Sequence, residues 1–245
     1  MNRILLLLAV ATFFSRLVPA QTGTPVVVEL FTSEGCSSCP PADALLAKLS
    51  QQNPKNESDL ILLGEHVDYW NSLGWTDRFS SAQFSQRQED YAKIFHLASV
   101  YTPQIVIDGR TQLQGGDATA VNRDIGAAHK APKPVQVALQ WEGNDRLHVT
   151  VQSASASRAK VLLAVTEDGL STQVGNGEND GKTLHHAAVV RELRELGSLD
   201  KSRLETTPNV SSHKDWSLAE VKVAVLVQDQ GSGAILGAAA IPWQH

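Results

Sequence analysis

Val26-Val27-Val28-Glu29-Leu30-Phe31-Thr32-Ser33-Glu34-Gly35-Cys36-Ser37-Ser38-Cys39-Pro40-Pro41-Ala42-Asp43 holds a strand, a polar loop and the start of a helix. The β-branched and apolar run from Val26 to Phe31 reads as a buried strand. Proline suits the first helical position, and Leu45, Leu46 and Leu49 fall on one helical face behind it. Both cysteines of the chain sit in this loop. A helix start offers unpaired N–H groups and a positive dipole end, which favour a thiolate. In such a pair the first sulfur attacks a disulfide and the second resolves the mixed disulfide. Two other readings stay open. Tetrahedral zinc wants four ligands and only two thiols exist, so a metal would need histidine as well. A structural disulfide would close a tiny loop and constrain little of the unfolded chain. A helix that begins at Pro40 would leave Cys36 up to a turn from the dipole end, weakening the case for an acidic thiol there.

Outward from this stretch, strands and helices alternate. Residues 59–67 read as a second buried strand, and residues 80–95 form a polar segment with Phe84, Tyr91 and Phe95 near helical spacing. Residues 104–113 read as a hairpin turning at Asp108-Gly109. Residues 118–129 close the half as a helix capped by Asp117. A proline-bearing linker follows at residues 129–134. Beyond it come short alternating strands at 135–141, 147–153, 160–167, 185–193, 221–228 and 234–241, which suggest a β-sandwich. The Gly- and Asn-rich loop at residues 175–181 is long and flexible by composition.

At the other end, Met1-Asn2-Arg3 precedes eleven uncharged residues, then Ser15-Arg16 and the small-residue exit to Ala20. This reads as a secretory signal peptide, too short to span a bilayer. Its removal takes Arg3 and Arg16 and moves the formal charge from −5 to −7. The expected compartment is periplasmic or extracellular, with no membrane span after cleavage. At 42% apolar and 19% charged, the chain can bury a core. A pI near 5.9 gives no basic field for nucleic acid.

The strand, the cysteine pair and Tyr101-Thr102-Pro103-Gln104-Ile105-Val106-Ile107-Asp108-Gly109 together resemble the thioredoxin-like superfamily. The resemblance implies a proline, here Pro103 with Thr102 before it, that is cis, faces the cysteines and contacts the bound substrate backbone. It also implies a buried acid near the sulfurs. Glu29 lies near that place, and buried there it would accept a proton from the resolving thiol. The superfamily's N-terminal cysteine attacks, which points to Cys36. Gly35 stands where thioredoxins carry tryptophan, and Ser37-Ser38 does not fix the redox potential by analogy. More closely still, the chain resembles DUF1223, a family of uncharacterised secreted bacterial proteins. Residues 29–43, His66-Val67-Asp68-Tyr69-Trp70, Gly74-Trp75 and residues 228–237 carry that resemblance, which implies a fold and a compartment but no substrate.

The expected architecture is therefore an α/β thioredoxin-like domain (residues 21–128, after the signal peptide at 1–20) followed by an all-β sandwich-like domain at 135–245. The candidate site is Cys36, Cys39, Pro103, Thr102 and Glu29, with no cofactor and no resident metal. Its chemistry would be thiol–disulfide exchange with an unknown protein or small-thiol substrate. The alternative is a non-catalytic binding module, or a metal-handling one using Cys36, Cys39 and His66. His66 and Asp68, on one side of a strand end, are further candidates for a metal or for proton transfer. Tyr69, Trp70 and Trp75 read as loop anchors. His185 and His186, adjacent in a strand, point to opposite faces and cannot easily share a metal. Neither a nucleophile elbow nor a Gly-rich phosphate loop occurs.

Overall fold

The computed structural model describes residues 25–53, 59–154 and 158–244, so the signal-peptide reading of residues 1–20 lies outside the described residues. The first half runs β1 (Val26–Thr32), α1 (Pro40–Gln52), β2 (Leu60–His66), α2 (Ala82–Ile94), β3 (Gln104–Ile107), β4 (Thr111–Gln114) and α3 (Ala118–Ala128). Strands then dominate. They are β5 (Val135–Trp141), β6 (Leu147–Ser153), β7 (Ala159–Glu167), β8 (Leu170–Gln173), β9 (Thr183–His186) and β10 (Val189–Leu199). β11 (Arg203–Thr206), β12 (Val221–Asp229) and β13 (Ile235–Pro242) complete the chain.

β1 is central because its side chains are apolar on both faces, as strands buried between two layers must be. Val26, Val28 and Leu30 pack with Leu45, Leu46 and Leu49 of α1 and with Val121 and Ile125 of α3. The alternate residues face α2, with Phe31 packed against Tyr91. Helix α1 starts with proline in its first turn and Cys39 at the N-cap. Helix α3 is capped as expected, Asp117 accepting from the Ala120 N–H at 2.9 Å. The hairpin turn falls between β3 and β4 at the anticipated place.

The expectation of a thioredoxin-like α/β domain followed by a separate sandwich is overturned. A single mixed sheet of eight strands, in the order β13-β12-β7-β10-β2-β1-β3-β4, runs through both halves of a mostly β molecule. The halves meet where β10 lies parallel to β2, Val189 opposite Gly64. Gly64 permits the approach: its N–H donates to Ala188 O at 2.7 Å, and a Cβ there would stand 3.1 Å from Ala187 O. The physical reason is that β2 opens on the apolar run Leu60 to Leu63 and is buried almost throughout, and an open edge on such a strand invites a partner. Nor is the linker loose. Lys133 buries its ammonium 2.8 Å from Asp108 Oδ1, both side chains 2% exposed, and Asp108 also receives the Val27 N–H.

The sandwich expectation survives in part. A second sheet, in the order β11-β6-β5, packs Val135, Leu147, Val149 and Val151 against Val161, Leu163, Val223 and Val225 of the large sheet. The strand expected at 185–193 is two strands, broken at Ala187 and Ala188, where Ala188 takes a φ of 50°. β8 and β9 pair only with each other, and their connection reaches back to the cysteine loop. Among the described residues, no helix is long and apolar enough to cross a membrane.

Candidate functional site

Cys36 and Cys39 are joined in a disulfide. Both cysteines are buried, while Ser37 and Ser38 between them are exposed. The loop is wound tightly: Cys36 N–H donates to Ser33 O and Cys39 N–H to Cys36 O. Cys39 O then accepts from the N–H groups of Ala42 and Asp43, so the helix ladder begins on the second cysteine. Cys36 therefore stands a turn outside the helix, with the Ser38 hydroxyl 3.4 Å from its Sγ. Ser38 Oγ in turn donates to Thr102 O at 3.5 Å. The Thr102–Pro103 peptide is cis, and Trp70 Nε1 donates to Thr102 Oγ1 at 2.9 Å.

Beneath the loop lies a group of buried ionisable side chains on the α1 side of the sheet. Asp43, one turn beyond Cys39, accepts from Thr32 Oγ1 at 2.9 Å. Burial raises its carboxyl above the ordinary 3.8, against the opposing pull of His186, His66 and the Thr32 hydroxyl. His66 Nδ1 lies 2.6 Å from Asp77 Oδ2. Burial alone would lower the imidazole, but Asp77 outweighs it and raises it. Asp77 is held low, His66 and the N–H groups of Glu34 and Phe79 overcoming its burial. Glu34 is also held low against its burial, by His186 and Trp75 among others, with Trp75 Nε1 donating at 2.8 Å. His186 Nε2 stands 3.2 Å from Glu34 Oε1. The rings of His66 and His186 meet edge to face, their centroids 4.8 Å apart.

The third contribution comes from the connection between β8 and β9. Asn179, fully buried, donates through Nδ2 to Glu34 O at 2.9 Å and to Cys36 O at 3.0 Å. Glu178 Oε2 accepts from the Ser37 N–H at 3.2 Å. A segment that looks flexible by composition thus grips the backbone on both sides of Gly35.

The sequence profile of a protein family of unknown function, DUF1223, matches residues 27–228. The chain belongs to the DUF1223 family. The match crosses the linker, as the sheet does. A crystal structure of protein AGR_C_4864 from Agrobacterium tumefaciens is 30% identical over 92% of this chain and 97% of its own, with a TM-score of 0.74. A domain of the outer membrane lipoprotein Omp28 from Porphyromonas gingivalis is 12% identical, covers 45% of this chain and 87% of its own, and reaches a TM-score of 0.27. The alkylpurine DNA glycosylase AlkC of Pseudomonas fluorescens, in a structure bound to DNA containing an abasic site analog, is 17% identical. It covers 52% of this chain and 35% of its own at a TM-score of 0.24. Likenesses as low as these last two carry no argument. No curated protein matches the chain.

In this DUF1223 protein the structure brings Cys36, Cys39 and Thr102 together, with Pro103 next in the chain, but sets Glu29 apart. Glu29 points to the α2 side of β1, away from α1. There it accepts from Arg87 Nε and from Tyr91 OH, each at 2.6 Å. On the α1 side a buried acid is instead Asp43, whose N–H donates to Cys39 O. His66 and Asp68 diverge, His66 to Asp77 and Asp68 to Ser85. Tyr69 is anchored to Gln88, and burial pushes its phenol up to about 12. Among the described residues, no group of three or more His, Cys, Asp or Glu side chains is arranged to hold a metal ion. Sequence reasoning missed Asp43, Asp77, Glu178 and Asn179. The proximity of Asp43 was readable, because a residue four after Cys39 returns to the same helix face. Nothing local announces the other three.

Proposed function

We propose that this protein is an exported thiol–disulfide oxidoreductase whose working group is the Cys36–Cys39 pair. One observation carries the reading: the disulfide closes a loop of two exposed serines at a helix start, with Ser38 Oγ 3.4 Å from Cys36 Sγ. A hydroxyl there can donate to a Cys36 thiolate, replacing the help that the helix N-terminus gives less well at one turn's distance. In the reducing direction the Cys36 thiolate attacks a substrate disulfide, forming a mixed disulfide and releasing one substrate thiolate. Cys39 then gives its proton to the Asp43 carboxylate, and its thiolate attacks Cys36 Sγ. The second substrate thiolate leaves, and Asp43 returns its proton to solvent or to that leaving group. A raised Asp43 carboxyl suits this exchange, because it narrows the gap to a thiol. Export is supported by the charge and apolar pattern of residues 1–20.

The test is trapping. Reduced Cys39→Ser protein, offered a disulfide, should hold it on Cys36 as a stable adduct seen by mass, and Cys36→Ser should not. Absence of any adduct, together with a Cys36 thiol that titrates near 8.5, would overturn the reading. N-terminal sequencing of exported protein should begin at Gln21.

A further inference from the structure

The proposed chemistry leaves the β8–β9 connection unused, yet it is the part of the second half that touches the cysteine loop most intimately. Asn179 is fully buried and spends both hydrogens of its amide on Glu34 O and Cys36 O. Its Oδ1 accepts from Lys182 Nζ at 2.9 Å. This fixes the neighbouring Glu178, an exposed side chain, with Oε2 on the Ser37 N–H. That N–H belongs to the residue directly after Cys36, on the exposed rim where a substrate must arrive. The Ser37 bonds hold the Glu178 carboxyl below its ordinary value, so it is anionic at neutral pH. With Asp180 and Lys182 on the same connection, its formal charge is −1.

We infer that Glu178 is a positioning residue of the redox site that selects substrates by charge, favouring cationic or neutral disulfides over anionic ones. The inference rests on the oxidoreductase reading. Two effects act together. The carboxylate charge, held on the N–H of the residue after Cys36, disfavours a Cys36 thiolate and so favours the disulfide form of the protein. It also repels any anionic disulfide, and any anionic thiolate leaving group, at the rim where exchange takes place. The reaction is the balanced exchange of reduced protein with R–S–S–R, giving the Cys36–Cys39 disulfide and two R–SH.

The experiment offers reduced full-length protein three symmetric disulfides: cystamine (cationic), hydroxyethyl disulfide (neutral) and dithiodiglycolate (anionic). Each rate is divided by that of free dithiothreitol with the same disulfide, which removes intrinsic differences between leaving groups. The wild type should favour cystamine over dithiodiglycolate, and the preference should shrink as salt rises to about 0.5 M. Glu178→Gln should reduce the ratio about three- to tenfold at low salt, and Glu178→Lys should reverse it. Glu205→Gln, in the second sheet, should leave it unchanged. Glu178→Gln should also make the protein disulfide easier to reduce against dithiothreitol. A tenfold change in that equilibrium corresponds to about 30 mV. Identical ratios in wild type, Glu178→Gln and Glu178→Lys, or a wild-type ratio indifferent to salt, would overturn the role of Glu178. Failure of all three disulfides to oxidise the reduced protein would instead sink the oxidoreductase reading beneath it.

Discussion

Glu65 and His66 are neighbours on β2, and they belong to two different collections of buried charge on opposite faces of the same sheet. On the α2 face, Arg87 Nε lies 2.6 Å from Glu29 and 3.4 Å from Glu65, and Tyr91 and Gln228 close the group. One guanidinium serves two carboxylates. Burial, against the pull of Arg87 and with Glu29 adding repulsion, pushes Glu65 well above its ordinary value. On the α1 face, His66, Asp77, Asp43, Glu34 and His186 lie under the cysteine loop. Both collections look functional by the usual criterion of buried, perturbed acids. What separates them is what they touch. The first clamps α2 to the sheet. The second is built around a disulfide and two exposed serines.

Four substitutions bear on that contrast. Arg87→Ala should cost the most, about 3–5 kcal/mol, because it strands Glu29 as a buried unpaired carboxylate. Urea unfolding measures the loss, and dithiothreitol exchange under native conditions should stay at the wild-type rate. A proportionate loss of exchange would erase the distinction between the two faces. Asp77→Asn comes next, at about 2–3 kcal/mol, since it takes the charged acceptor from His66 and from the N–H groups of Glu34 and Phe79. Its pH signature has two arms. Raised His66 contributes stability that is complete below 6.5 and lost as pH rises through its native value. Lowered Asp77 contributes stability present above 3.8 and lost as pH falls through its native value. The variant should therefore flatten the stability profile on both sides.

Asn179→Ala should cost about 1–3 kcal/mol by taking the buried amide donor from Glu34 O and leaving Cys36 O with the Cys39 N–H. It should also speed reduction of the disulfide, which a purely peripheral loop would not do. Asp43→Asn is the smallest effect and has the opposite sign. The native carboxyl is raised, so wild-type stability falls as pH climbs from 3.8 through the native value, and asparagine does not ionise. The variant should gain on the order of 0.5 kcal/mol at pH 8 and nothing at pH 3. In stopped-flow exchange it should slow the second, resolving step and spare the first. Equal slowing of both steps would return Asp43 to a packing role.

Much of the first half was legible because its signals are local. The Val26 run, Pro40-Pro41, Asp117 and Asp108-Gly109 each announce their element through backbone chemistry confined to a few residues. The cysteine pair was legible for the same reason. The joining of the halves was not, because Val189 opposite Gly64 is a pairing across 125 residues with no motif at either end. Asn179 was misread for a related cause. Its Gly-, Asn- and Asp-rich surroundings describe a solvated loop, and only contacts 143 and 145 residues away make it buried. Glu29 was placed near the sulfurs by position in the chain. Strand parity with Leu30, which packs toward α1, sends it to the other face.

The grip of Asn179 on Cys36 has a consequence for inheritance. A recombination event in the linker would separate the cysteine loop from the amide that satisfies its carbonyls, and would strip β2 of its neighbour. Chimaeras joined there from diverged relatives should fold poorly even when each half is intact in its own parent. The cysteine pair, though it fits in four residues, travels as part of a unit of about two hundred.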